Sequence, residues 1–212
     1  MPVVIKKNYK DYAIAIWKIE EEESYFYQKI EFSEYDTKEL GEISHPAKRL
    51  EWLASRYLIK FIMDKPSIIY LNKKANGKPI IENFPCYISI THTSGYAAVI
   101  YSEKVEVSID TEKIASRVEK IERKFLSEKE LSSIHKEDKI EYLIIYWSIK
   151  ETIFKLLEIS GLNFAQEIYI QPFSKKDGIA KVLVRHAGIE KEFSVNFRKL
   201  SQVYTTWCLG GN

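Results

Sequence analysis

Two kinds of apolar pattern share this chain: short runs of strand character and two longer stretches spaced for a helix. Alternating apolar and polar residues put one face of a strand on a core, whereas recurrence every three or four residues marks one side of a helix. Residues 3–5 and 12–18 have strand character. Residues 46–64 carry Leu50, Leu53, Tyr57, Leu58 and Phe61 at helical spacing, with Pro46 suited to a first turn. Asn76-Gly77-Lys78-Pro79 has the chemistry of a turn. Strands are expected at Tyr87–Ile90 and Tyr96–Tyr101, with Thr-His-Thr-Ser-Gly between them, and at Val105–Ile109, stopping at Asp110.

The second half opens with helical signals. Ser127 followed three residues later by Glu130 reads as a capping box. Residues 138–158 form the strongest helical pattern in the chain, and Gly161 is placed to end it. Strand-like segments follow at Glu167–Gln171, Ala180–Arg185, Glu192–Phe197 and Val203–Leu209. Strands, a helix, strands, then helices and strands again predict an α+β protein of two lobes, residues 1–104 and 105–212.

Composition narrows the class. The 212 residues suffice for one large domain or two small lobes, and 14 Tyr, 10 Phe and 4 Trp supply a packed core. A net charge of +2 is too balanced to argue for nucleic acid or a membrane as principal partner. Cys86 and Cys208 stand far apart in apolar contexts and are expected as buried free thiols. The N-terminal stretch lacks the apolar run and cleavage site of a signal peptide, and the longest apolar stretch, Tyr142 to Trp147, is too short to span a bilayer. A cytoplasmic protein is the expectation.

Chemistry concentrates at two places. Asp110 and Glu112 are two apart at the expected strand end, so their side chains leave the same side of an extended backbone. By themselves they also suit a solvated turn. On the long helix Glu151 and Lys155 are four apart on one face, with Trp147 one turn earlier; alone, the charged two are an ordinary surface ion pair. Together the residues make three carboxylates and an amine, the inventory for Mg²⁺ beside a pyrophosphate.

Val-Ser-Ile-Asp-Thr-Glu (107–112), followed further along by Trp-Ser-Ile-Lys-Glu-Thr-Ile-Phe-Lys (147–155), resembles the paired signature of the 4′-phosphopantetheinyl transferase superfamily. That signature is roughly (V/I)-G-(V/I)-D-x-E and then (W/F)-(S/T/C)-x-K-E-(A/S)-x-x-K. Asn76-Gly77-Lys78-Pro79 is similar to the family's G-K-P turn, and Ile88-Ser89-Ile90-Thr91-His92-Thr93 to its (I/L)-S-(I/L)-S-H-S segment. Phe125 to Glu130 resembles a third family region. The resemblance covers about residues 45–160, and the chain length suits the two-lobed, Sfp-type branch. Ser108 stands where the family usually has glycine, and Thr152 where it has Ala or Ser; no charged position of the signature is missing.

The resemblance implies two similar lobes, each a small, mostly antiparallel sheet packed with helices, and an active site in the crevice between them. It implies a monomer that uses Mg²⁺, or Mn²⁺, to move the phosphopantetheine arm of coenzyme A onto a serine of an apo acyl, peptidyl or polyketide carrier protein. The leaving group is 3′,5′-ADP. Asp110, Glu112 and Glu151 correspond to the metal ligands, and Lys155 to the pyrophosphate-binding lysine. Glu151 is also a general-base position, acting directly or through water. Thr91, His92 and Thr93 fall in the segment that binds a coenzyme A phosphate, and Asn76, Gly77, Lys78 and Pro79 in the turn lining the adenine pocket. Arg49, which shares a helix face with Arg56, lies near a basic position that meets the 3′-phosphate. The basic residues Arg117, Lys120, Arg123 and Lys124, around Ile114, Val118 and Ile121, correspond to a region facing the acidic carrier helix.

Three other readings remain. One is a catalytically silent, carrier-binding homologue. A different magnesium nucleotide enzyme finds no GxxxxGK(S/T) or GxGxxG, and a DNA-binding protein finds no basic stripe.

Overall fold

The structure, a computed structural model, describes residues 3–64, 68–134 and 136–211. By internal contacts the chain forms two compact units, Met1–Thr111 and Glu112–Asn212. The expected division was near residue 104; the units part inside a strand, between Asp110 and Glu112.

In the first unit, strands β1 (Val3–Asn8), β2 (Ala13–Lys18), β5 (Tyr87–Thr93) and β6 (Tyr96–Ser102) form an antiparallel sheet in the order β1-β2-β6-β5. Helices α1 (Glu23–Tyr27), α2 (Glu34–Glu42) and α3 (Pro46–Met63) and the hairpin β3 (Leu71–Lys73) and β4 (Pro79–Ile81) complete it. Pro46 opens α3, where its missing N–H costs nothing, and Asp64 closes it in the left-handed region at φ 51°. Leu53, Leu58 and Ile62 of α3 pack with Trp17, Ile88 and Val99 of the sheet. Each such side chain, once buried, contributes about 1.5–3 kcal/mol.

Strand β7 (Val107–Lys113) carries the boundary between the units. Beyond it come a 3₁₀ turn at Ser116–Ile121, then α4 (Glu122–Phe125), α5 (Glu128–Ser133), α6 (Lys139–Leu157) and α7 (Phe164–Glu167). Strands β8 (Ile168–Ile170), β9 (Ile179–His186), β10 (Ile189–Leu200) and β11 (Val203–Leu209) follow. The sheet has the order β7-β11-β10-β9-β8, with β7 contributing Glu112 and Lys113 to this unit. Leu143, Ile149, Ile153 and Leu156 of α6 join Val182, Val195 and Cys208 in the core. The architecture is therefore α+β, with two antiparallel sheets packed against helices.

Several boundaries differ from the expectation. Thr91, His92 and Thr93 belong to β5 and pair with Ala98, Ala97 and Tyr96, so the turn is Ser94-Gly95 alone. Both turn residues have positive φ, 42° and 84°, as a two-residue type I′ hairpin requires. Strand β7 continues through Lys113, so Asp110 and Glu112 lie within it rather than past its end. Helix α6 stops at Leu157 with Glu158 in the left-handed region, one turn before Gly161. The basic residues Arg117, Lys120, Arg123 and Lys124 lie on a 3₁₀ turn, Ser116–Ile121, and the short helix Glu122–Phe125. Cys208 is buried, and burial pushes its thiol up to about 12, whereas Cys86 is only half-buried.

Glu141, in the first turn of α6, ties the helix to its sheet. It accepts from Lys199 Nζ at 2.5 Å, the Tyr204 hydroxyl at 2.7 Å and Lys175 Nζ at 3.1 Å. Burial alone would raise its pKa, but these three donors outweigh it and bring the carboxyl to about 2. A depressed carboxylate stabilises the fold above its unfolded pKa of 4.5, and that contribution disappears as pH falls toward about 2. At neutral pH Glu141→Gln is expected to lose on the order of 3 kcal/mol. Urea unfolding of both proteins over that acid range should show the gap closing; a gap independent of pH would exclude this origin.

Candidate active site

The two acidic residues of β7 are held differently. Ser89 Oγ on β5 accepts the Ile109 N–H at 3.2 Å, and Thr91 Oγ1 accepts the Thr111 N–H at 3.3 Å. These hydroxyls, two residues apart on one strand, serve amides two residues apart on the other. The Thr91 hydroxyl itself donates to Asp110 Oδ1, also at 3.3 Å. Asp110 is only 4% exposed, and a carboxylate that deep depends on hydrogen-bond donors. Glu112 is half-buried and accepts the indole N–H of Trp147 at 3.0 Å.

That indole belongs to α6, which from Leu143 to Leu156 is buried apart from Trp147, Glu151, Phe154 and Lys155. Four positions at intervals of four, three and one lie along one side of a helix. The accessible stripe of α6 is therefore made of residues from the signature. Trp147 packs edge-on to Phe125, centroids 5.2 Å apart, and tilted against Phe164 at 5.8 Å, which fixes its ring.

Lys150, adjacent to Glu151, points the other way and is 0% exposed. Its ammonium donates to Glu130 Oε2 at 2.9 Å and to the carbonyls of Phe164 and Ile168 at 2.8 and 2.6 Å. Burial pushes its pKa down to about 8, with Glu130 opposing, so it is charged at neutral pH. Glu130 also closes the expected capping box with Ser127 and accepts the Ile170 N–H at 2.9 Å. Nothing in the amino-acid pattern distinguishes Lys150 from an exposed lysine.

The first-unit candidates have partners of their own. His92 is 38% exposed along its side chain, with Nδ1 3.0 Å from Glu51 Oε2. Glu51 is buried beneath Lys48, which donates at 2.7 Å. Burial would raise the Glu51 carboxyl, but Lys48, His92 and the Gly95 N–H together lower it. Arg49 spends its guanidinium inside the unit, on Glu23, the Tyr27 hydroxyl and the carbonyls of Leu40 and Ile43 that end α2. A 3′-phosphate would have to displace Glu23 to reach it. Arg56 binds Asp36 at 2.8 Å and Glu39 at 2.5 Å.

Asn76, Gly77, Lys78 and Pro79 do form a tight loop. Gly77 sits at φ 86°, a conformation open to glycine, and Asn76 Oδ1 accepts the Lys78 N–H at 3.1 Å. Lys78 Nζ lies 3.6 Å from Glu106, and Pro79 begins β4. Thr93, paired with Tyr96, is buried.

Both departures from the signature are buried. Thr152 Oγ1 lies 2.5 Å from Thr206 Oγ1, which also meets Ser148 Oγ at 2.9 Å, a hydroxyl cluster joining α6 to β11. Alanine there would leave that cluster one member short. Ser108 Oγ is buried without a hydrogen-bond partner among the described residues.

The three residues expected as metal ligands, Asp110, Glu112 and Glu151, are all carboxylates, a donor set that would suit a hard cation such as Mg²⁺ rather than zinc. Among the described residues no three acidic, histidine or cysteine side chains already converge on one point. Mg²⁺ commonly takes one or two carboxylates and fills its octahedron with water and substrate phosphate.

A model of the 4′-phosphopantetheinyl transferase superfamily matches residues 106–208, from the start of the β7 region almost to the end of β11. Over this segment the chain is similar to that superfamily, which is named for the transfer of phosphopantetheine. No curated protein matches the chain. Among the described residues no helix is long and apolar enough to cross a membrane.

Proposed function

We propose that the protein transfers the 4′-phosphopantetheine group of coenzyme A to the serine of an apo carrier protein, with Mg²⁺ as cofactor, and acts as a cytoplasmic monomer. The observation that carries this reading is the Trp147–Glu112 hydrogen bond. It joins β7 at Glu112 to the accessible stripe of α6 that also carries Glu151 and Lys155, which supports a shared role for these residues.

In the reaction the serine oxygen attacks the phosphorus bearing pantetheine. The bond from that phosphorus to the bridging oxygen breaks, and 3′,5′-ADP leaves. Glu151 takes the serine proton, directly or through water. Lys155 holds its ammonium against the phosphate oxygens where negative charge grows, which lowers the barrier more than it strengthens ground-state binding. Asp110, Glu112 and Glu151 would hold Mg²⁺, whose chemistry here is to polarise the phosphoryl oxygens. His92 and the loop 76–79 supply polar contacts for the nucleotide end of coenzyme A.

The carrier would dock on residues 117–124. Arg117, Lys120, Arg123 and Lys124 are exposed there, Arg123 paired with Glu128 at 2.6 Å, while Glu119 and Glu122 are turned to Lys139 at 3.6 and 2.9 Å. This leaves a basic surface suited to an acidic helix.

Incubation with coenzyme A, Mg²⁺ and several apo carriers should add a phosphopantetheine mass to at least one of them, read by intact-protein mass spectrometry. Exhaustive EDTA treatment should abolish the gain. Modification that persists after chelation would sink the metal-dependent mechanism, and binding of a carrier without modification would favour a silent homologue.

A further inference from the structure

The carboxylates of β7 each receive a hydrogen bond from a side chain to which the proposed chemistry gives no direct part. Trp147 Nε1 donates to Glu112 Oε1 at 3.0 Å, and Thr91 Oγ1 donates to Asp110 Oδ1 at 3.3 Å. We infer that Trp147 and Thr91 are positioning residues that orient the two carboxylates for a divalent cation. The inference rests on the functional reading given above.

The chemistry of the donors favours this role. An indole donates one hydrogen bond and accepts none, so it cannot compete as a ligand. A carboxylate has about four lone-pair sites, so a bond of this kind can orient it without using up its capacity for a metal. Both donors are also neutral. A hydroxyl or an indole orients a carboxylate without itself offsetting the negative charge that a metal ion would need, whereas a lysine or arginine in the same place would offset it.

The supports are rigid in both cases. Phe125 and Phe164 clamp the Trp147 ring. Thr91 is buried on β5, and its hydroxyl is fixed a second time by the Thr111 N–H. The bond lengths rank the two effects, because 3.0 Å is ordinary for N–H···O while 3.3 Å is long for O–H···O. Loss of an oriented outer partner commonly weakens metal binding by about 10–100-fold. Trp147→Phe, which keeps an aromatic ring and removes the N–H, should fall in that range, and Thr91→Val below it.

The test measures Mn²⁺ binding by electron paramagnetic resonance of the free ion, with coenzyme A present and no carrier, so that no turnover occurs. Trp147→Phe should raise the Mn²⁺ dissociation constant about tenfold or more. Thr91→Val should raise it less, and Thr91→Ser, which restores the hydroxyl, should recover it. Urea unfolding of the same variants identifies any general loss of structure, which would not follow this pattern of loss and recovery. Wild-type Mn²⁺ affinity in both Trp147→Phe and Thr91→Val, alongside lost affinity in Asp110→Asn and Glu112→Gln, would overturn the inference and leave the functional reading standing. Unchanged affinity in Asp110→Asn and Glu112→Gln would overturn both.

Discussion

Replacing Lys155 by alanine is expected to lower turnover by about two to three orders of magnitude with little change in stability, the usual cost of losing one positioned charge-stabilising group. Lys155 lies on the accessible stripe of α6, two turns beyond Trp147 and one beyond Glu151. Lys155 is only half-buried, and its charge in the last helical turn adds a few tenths of a kcal/mol through the helix dipole. The kinetic loss should appear in the maximal rate more than in the coenzyme A concentration for half-maximal rate, because the developing phosphate charge exists in the transition state. Steady-state kinetics on an apo carrier, with urea midpoints measured in parallel, checks both halves. A turnover loss below about tenfold would remove Lys155 from the phosphate.

Lys150→Ala should show the opposite balance. It leaves Glu130, which is 2% exposed, without its cation, and it orphans the carbonyls of Phe164 and Ile168. Breaking a buried pair on one side costs about 3–5 kcal/mol, a large part of the stability of a small domain. The expected outcome is a sharply lowered urea midpoint, with activity falling in proportion to the unfolded fraction. Glu130→Gln should be milder, since the amide oxygen can still accept from Lys150 or from the Ile170 N–H. Equal stability of Lys150→Ala and Lys155→Ala would contradict the buried pair.

These two lysines, five residues apart on one helix, show where reading the sequence stops. Apolar spacing located α6, because the residues facing its sheet recur with the helical period. The Ser127–Glu130 capping box was legible for a similar reason, since donor and acceptor lie within one turn. The signature residues could be aligned by order and spacing. Helix α2 escaped this reading: only Leu40 and Asp36 of it are buried, and its stability comes from Arg56 on Asp36 and Arg49 on its last carbonyls. Both arginines belong to another helix.

The same contrast runs through the candidate site. The amino-acid sequence by itself determined the α+β class, the two main helices, most strands and the set of carboxylates and cations available for chemistry. Tertiary structure alone decided that Lys150 is sealed against Glu130, that Arg49 is engaged with Glu23, and that Thr91 and Trp147 serve Asp110 and Glu112. The reason is physical. Periodicity and capping are local, encoded within a few residues of each other, whereas a polar side chain takes its role from whichever partner folding brings to it. Here those partners lie 19 to 35 residues away along the chain.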